Sequence, residues 1–423
     1  MSSTATRSDG ERRRAFRGWW IVAVSIAGLS FSTGTMLIYT FGVFAKPLAS
    51  ELKSSRSEIA LAVSLADLAI MFAAPGAGRL ADRYGARGVI VTLLIGLSAC
   101  LIGLAFVQPP LWHFYALYSL AGAIGVATTP VTYSRVIANW FDRKRGLALG
   151  LGNSGIGLGA FITPSLAQFL IDRGGWRLAY VGLAGACLAI ALPIVWIFLR
   201  ATPQEVGLLP DGAAPANRSA TARMRVDGMS VREAFRTRTF WLLCFMFFLV
   251  SACVNGAIAH LAPLLTDSGV SGRSAAFATS IFGVSAIAGR VGNGFLVDRF
   301  FGPRVAAIVF AGAALGVALL WGGPPVSVAF LASALLGLAA GAEGDVMPFL
   351  VSRYFGMRSM AELFGCMFGV FTLGNATGRY LFAAGFDASG SYKMPLLCAF
   401  VAVVLAILAS LRLGQYGRAR IFA

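Results

Sequence analysis

Uncharged apolar stretches of bilayer length recur along the whole chain, and they restrict the fold more than any other feature. Residues 18–45, 88–112, 114–134, 146–171, 178–199, 239–259 and 394–411 contain no Asp, Glu, Lys or Arg. About 20 apolar residues in a helix cross the hydrocarbon core. Helix is dictated because lipid offers no partner to a free backbone N–H or C=O. The stretch 305–342 is too long for one span, and Gly322-Gly323-Pro324-Pro325 divides it into two. Three further segments, 57–78, 274–297 and 363–386, are apolar but each encloses a charge. Twelve spans result. The charged fraction of 13% agrees, since a soluble domain carries roughly 25%. The stretch 18–45 is too long for a signal-peptide core and lacks a small-residue cleavage site after it.

The formal charge of +17 invites a nucleic-acid reading, which its distribution opposes. With the N-terminus in the cytoplasm, 25 of the 35 Lys and Arg residues fall in cytoplasmic tails and loops. Seven fall in the opposite loops, and three lie inside spans. That asymmetry is the positive-inside pattern, with both termini cytoplasmic. No nucleic-acid partner is expected, and the lipid bilayer takes its place. The six cysteines (Cys100, Cys187, Cys244, Cys253, Cys366, Cys398) all lie in apolar spans without metal-ligand spacing, so no metal or disulfide is expected. No phosphate loop or nucleophile–base pair appears either, so neither a cofactor nor an enzyme is expected. Arginine outnumbers lysine 31 to four, which suggests a GC-rich bacterium and hence the inner, plasma membrane.

The chain repeats itself. Gly78-Arg79-Leu80-Ala81-Asp82-Arg83-Tyr84-Gly85-Ala86-Arg87 follows the second span, and Gly294-Phe295-Leu296-Val297-Asp298-Arg299-Phe300-Phe301-Gly302-Pro303-Arg304 follows the eighth. The two aspartates are 216 residues apart. Trp140-Phe141 and Tyr354-Phe355 form a second pair, with the phenylalanines 214 apart. The fold class expected is all-α integral membrane, with twelve transmembrane helices in two parallel six-helix halves. Parallel halves of this kind carry a binding site at mid-depth between them. The boundaries are a cytoplasmic N-terminal tail at 1–18, a six-helix bundle at 19–200 and a cytoplasmic linker at 201–238. A second bundle follows at 239–413, then a cytoplasmic tail at 414–423.

The loop 78–87 and its second copy resemble the signature loop of the major facilitator superfamily. Within it the chain resembles the oxalate/formate exchanger and monocarboxylate transporter branch. That likeness rests on Gly18-Trp19-Trp20, Tyr39-Thr40-Phe41-Gly42-Val43-Phe44 and Ser55-Arg56-Ser57-Glu58. It also rests on the run from Trp140 to Gly150 and on Pro203 to Gly212. The resemblance implies alternating-access transport of a small organic anion, a monocarboxylate in kind, coupled to a proton or to a counter-substrate, by a monomer. Drug or sugar transport, or a non-transporting membrane protein on this fold, are the competing readings.

Candidate residues follow from the cost of charge in lipid. Arg290 lies within the eighth span after sixteen uncharged residues, 274–289. An intramembrane arginine usually faces the bundle interior or a cavity, and its fork suits a carboxylate. In the resembling carriers an arginine in this span binds the anion. The alternative is a structural ion pair with Asp345 or Glu343. Those two carboxylates lie in the tenth span about 200° apart on a helix, so they face different neighbours, and one of them is a candidate proton carrier. Asp67 in the second span and His260 near the end of the seventh are further coupling candidates. Arg379 in the eleventh span stands where the resemblance expects a substrate-contacting lysine, with structural pairing as the alternative. Tyr39, Thr129, Tyr133 and Asn255 are candidate polar lining. Asp82, Arg83 and Arg87, with Asp298, Arg299 and Arg304, read as a gate, and Arg135 as an ionic partner for Asp82 or Asp67. Two departures from the resembling proton-coupled carriers stand out. Tyr39 occupies the place of a first-span lysine, and Ala286 that of an aspartate one turn before Arg290.

Overall fold

Backbone hydrogen-bonding demand resolves into twelve membrane-length helices in the computed structural model, which describes residues 16–212 and 228–416. The outer parts of both expected tails and the middle of the linker lie outside the described residues. In chain order the helices are α1 Gly18–Glu51, α2 Arg56–Tyr84, α3 Ala86–Leu104, α4 Trp112–Trp140, α5 145–173 and α6 176–198. The second half has α7 Arg238–Ala259, α8 Gly272–Arg299, α9 Gly302–Leu319, α10 Val326–Phe355, α11 Met360–Ser389 and α12 Lys393–Leu411.

Local sequence explains the joints. Helices α5 and α6 run on almost without a loop, and the chain turns at Gly174 and Gly175, the latter at φ 78°. The break expected at Gly322-Gly323 is a left-handed turn, with φ 83° and 79°, conformations that cost a side chain dearly and glycine nothing. Helix α1 loosens into a π-turn at Gly34–Ile38. Helix α4 is interrupted by a 3₁₀ turn at Val126–Thr128, after which Thr129 caps the restart at Pro130. Helix α10 runs through Glu343, Asp345 and Pro348, as expected of the tenth span, and ends at Phe355.

Helices α1–α6 pack among themselves, as do α7–α12, and the halves meet mainly along α2 with α11 and α5 with α8. These two seams are related by the internal repeat. Glycine makes both possible, since small residues let helices approach in lipid. A Cβ on Gly78 would lie 2.1 Å from the Ala361 carbonyl oxygen, and one on Gly150 2.3 Å from that of Arg290. The helix ends bearing Asp82 and Asp298 lie at one face of the bundle, here termed the motif end. The described chain ends reach the same face: Phe16 packs on Phe141, and the Tyr354 hydroxyl donates to the Gly414 carbonyl at 2.6 Å.

Inside the second half, α8 and α10 also touch backbone to backbone. A Cβ on Gly341 would meet the Ala286 carbonyl oxygen at 2.0 Å, whereas one on Gly42 would meet nothing within 4 Å. Gly341→Val is therefore expected to lower the melting temperature of the purified protein, at about 1–3 kcal/mol of overpacking. Gly42→Ala is expected to match or exceed the parent, as alanine is the better helix former by roughly 0.5–1 kcal/mol. Intrinsic tryptophan fluorescence during heating in detergent measures both, and equal losses would contradict the packing described.

Candidate functional site

The polar contacts between the halves form two layers. The first is at the motif end. Asp82, in the last turn of α2, accepts from the backbone N–H of Ala361 at 3.2 Å and of Glu362 at 2.9 Å, at the start of α11. Arg135 of α4 pairs with the same carboxylate. Asp298, in the last turn of α8, accepts from the N–H of Gly146 at 2.7 Å and of Leu147 at 2.9 Å, at the start of α5. The first N–H groups of a helix have no intrahelical acceptor, and the helix dipole favours an anion there. Each repeat thus caps a helix of the other half.

Further contacts surround these caps. Arg353 of α10 contacts Asp142 through Nη1 at 2.8 Å to the carboxylate and through Nη2 at 2.7 Å to the carbonyl. Arg145 donates to the Ser352 hydroxyl at 3.1 Å, and Arg79 pairs with Glu362 at 2.6 Å. Both described ends of the linker dock at this face. Asp211 accepts from the Arg143 N–H at 2.9 Å, while the Met229 N–H donates to the Phe355 carbonyl at 2.8 Å. The remaining arginines expected at the gate stay within their own halves. Arg83 lies over Tyr84 and Arg299 over Phe295. Arg87 donates to the Trp196 carbonyl, and Arg304 is exposed.

The second layer lies at mid-depth. Arg290 meets Asp345 across α8 and α10, Nη1 to Oδ1 at 3.4 Å. The same oxygen accepts from Asn153 Nδ2 of α5 at 2.7 Å. Asp345 is sealed, while the Arg290 side chain keeps 18% of its surface open. Glu343 is also buried but faces the other way, accepting from Asn255 of α7 at 3.3 Å. Among the described residues, Glu343 Oε2 and Asp345 Oδ2 have no hydrogen-bond partner. Across the bundle, Arg379 of α11 pairs with Asp67 of α2 at 2.8 Å. They sit in a cavity of about 410 Å³ that Ser64, Met71, Thr372 and Ala376 help to line.

Two sequence expectations need correction. Thr129 and Tyr133, expected as polar lining, are enclosed instead. Thr129 spends its hydroxyl on the Val126 carbonyl at 2.6 Å and on capping Val131, and Tyr133 is fully buried against Gly28. Arg135 reaches Asp82, one of its two expected partners, and Asp67 is left to Arg379. His260 is held on both nitrogens, by the Tyr392 hydroxyl at 3.4 Å and the Arg379 carbonyl at 3.2 Å. Tyr39 is half exposed at the end of the π-turn. Asn153, Asp142, Arg145, Arg353 and Glu362 escaped the sequence reading. Asn153 alone carried a signal, as the one amide in the glycine-rich start of an uncharged span.

The sequence profile described as "Major Facilitator Superfamily" matches residues 20–378. The chain belongs to that superfamily. Among known proteins it is 26% identical over 406 residues to monocarboxylate transporter 11 of Mus musculus, covering 90% of this chain and 84% of that one. It is 25% identical over 418 residues to the oxalate:formate antiporter of Oxalobacter formigenes, covering 94% and 92%. Among solved structures, the proton:xylose symporter XylE bound to 6-bromo-6-deoxy-D-glucose superimposes with a TM-score of 0.72 at 17% identity, over 96% of this chain and 97% of that one. The transporter FucP in the outward conformation gives 0.70 at 13%, over 94% and 99%. This superfamily member is therefore an integral membrane protein of a transporter family, with its relatives carriers and not enzymes.

The Asp67–Arg379 pair invites a double-mutant cycle. Asp67→Asn leaves an arginine unpaired at mid-depth, and Asp67→Asn with Arg379→Gln removes both charges. Breaking a buried pair costs about 3–5 kcal/mol, reduced here because the Arg379 side chain is 38% open. The double variant is expected to melt above the Asp67→Asn single. A double variant that melts lower than either single would show that the charges do not compensate each other.

Proposed function

We propose that this chain is a secondary transporter that moves a small organic anion, a monocarboxylate, by alternating access, coupled to a proton or to a counter-substrate. The observation that carries the reading is the state of Arg290. It is a partly open guanidinium at mid-depth whose single protein partner, among the described residues, is Asp345 at 3.4 Å. A carboxylate substrate can take its remaining donors in a two-bond fork. Relatives named for monocarboxylate and for oxalate and formate transport support the same substrate class.

In this scheme Arg290 holds the substrate carboxylate, and Asp345, released from the arginine, takes the proton. Glu343 and Asn255 form the neighbouring polar wall. Asp67 with Arg379 braces the opposite seam, and Tyr39 and His260 stand towards the far side. The capped helix starts at α5 and α11 act as the gate, with Asp82, Arg135 and Asp298 holding the motif end shut. The charge asymmetry of the loops supports a cytoplasmic motif end, which makes the closed face cytoplasmic and the carrier outward-facing in an inner membrane.

Sidedness has a direct test. Arg232, exposed just before α7, is replaced by cysteine and treated with an impermeant maleimide. Labelling is expected in inside-out vesicles and absent in intact cells, and the reverse pattern would invert the topology.

Substrate recognition is tested at Arg290. Losing one member of a buried charge pair at a binding site costs about 2–5 kcal/mol. Arg290→Ala is expected to abolish binding of formate, lactate and oxalate, scored as loss of ligand-induced thermal stabilisation. Arg290→Lys keeps the charge and is expected to lose most of the affinity, because an ammonium lacks the planar fork. A folded Arg290→Ala protein that bound the parent's anion equally well would remove Arg290 from the site.

A further inference from the structure

Asn153 belongs to one half of the molecule and Asp345 to the other, and their 2.7 Å hydrogen bond is, among the described residues, the shortest polar link between the halves at mid-depth. Both residues are sealed: Asn153 is fully buried and Asp345 is 2% exposed. The amide has nowhere to withdraw. A Cβ three residues earlier, on Gly150, would lie 2.3 Å from the Arg290 carbonyl oxygen and 3.7 Å from Asp345 Oδ2, so α5 is pressed against the Arg290–Asp345 pair. Among the described residues, Asn153 Oδ1 and Asp345 Oδ2 have no hydrogen-bond partners of their own. The bond between Nδ2 and Oδ1 therefore carries the polar part of the contact.

We infer that Asn153 is a positioning residue that enforces coupling, by tying the ionised, arginine-free form of Asp345 to the N-terminal half so that the motif end cannot open. This rests on the reading of Arg290 as the anion site and Asp345 as its displaced partner. A hydrogen bond to an ionised acceptor is roughly twice as strong as one to a neutral acceptor, and more costly to abandon inside lipid. Three states then differ. With the carrier empty, Arg290 shares the Asp345 charge and the grip of Asn153 is moderate. With an anion on Arg290 and no proton, Asp345 has Asn153 alone and the grip is strongest. With a proton added, Asp345 is neutral and the grip is weakest. The halves separate in the first and third states, and the second is held, which ties anion movement to proton movement.

Location suits the role. Asn153 stands eight residues into α5 from the motif end, about 12 Å at 1.5 Å per residue, on the side of mid-depth that must part when that face opens. Charged groups around Asp345 are few. Arg290 on α8 is in contact, α5 presents the neutral Asn153, and Glu343 on the same helix faces Asn255 of α7.

The test needs no substrate. Arg290→Gln mimics the held state by taking the arginine away. Spin labels at Lys144→Cys and Arg304→Cys, both exposed and on opposite halves at the motif end, report opening by pulsed electron–electron distance measurement in lipid nanodiscs. In Arg290→Gln the open population is expected to rise at least tenfold from pH 8.5 to pH 5.5. Adding Asn153→Leu, close in volume but without the donor, is expected to leave that population high and flat with pH, and Asp345→Asn to do the same. Asn153→Gln, which keeps an amide, is expected to restore part of the dependence. A pH response unchanged by Asn153→Leu would overturn the inference, as would a response that Asn153→Leu removes but Asp345→Asn preserves. Failure of the anion-binding assay at Arg290 would sink the substrate reading and leave this measurement intact, since no anion enters it.

Discussion

A carboxylate placed at the start of a helix fastens this molecule, and it does so twice. Asp82 closes the first turn of α11 and Asp298 the first turn of α5, each through two backbone N–H groups. Those groups lack acceptors in any helix, so the contact meets a need on both sides of the seam. Because the two caps are related by the internal repeat, they pull symmetrically on the two halves. The glycines along the seams then decide how closely the backbones follow. The contacts between Asp142 and Arg353 and between Arg79 and Glu362 form around a face that the caps have already brought together. Such contacts, at partly exposed side chains, contribute little individually.

Deeper in the membrane the constraint changes from unsatisfied backbone to unsatisfied charge. Asp67, Arg290, Asp345 and Arg379 each find an opposite charge, while Glu343 makes do with an amide. The two ion pairs are unlike. Asp67 and Arg379 meet at 2.8 Å across the halves. Arg290 and Asp345 meet at 3.4 Å within one half and, among the described residues, hydrogen-bond to the other through Asn153. A short direct pair resists separation, whereas a long pair with spare donors exchanges partners readily.

Much of this was readable from the chain. Span number, the break at Gly322-Gly323 and the repeated aspartates follow from apolar run length and from local rules about turns. The membership in the superfamily followed from the same loops. Asp345 as a neighbour of Arg290 was one of two named alternatives, because an i, i+2 pair on a helix sends only one member towards a given neighbour. What stayed hidden was whatever depends on helix rotation and on which half supplies the partner. Arg379 and Asp67 are 312 residues apart, and Asn153 and Asp345 are 192 apart; no local pattern links them. Thr129 and Tyr133 misled for a related reason. A polar residue in a span looks the same from sequence whether it lines a cavity, caps a broken helix or fills a core.

The repeat is faithful in its caps and unfaithful in its chemistry. Arg290, Glu343, Asp345 and His260 all belong to the second half, and the first half has no charged residue at the corresponding depth of α4, where Thr129 and Val131 stand instead. Duplication therefore left most of the mid-depth charge in the second half, while the first answers with Asp67, the amide of Asn153 and close-packed glycine. The ionisable groups at mid-depth can therefore differ between the halves without disturbing the paired caps that both copies share.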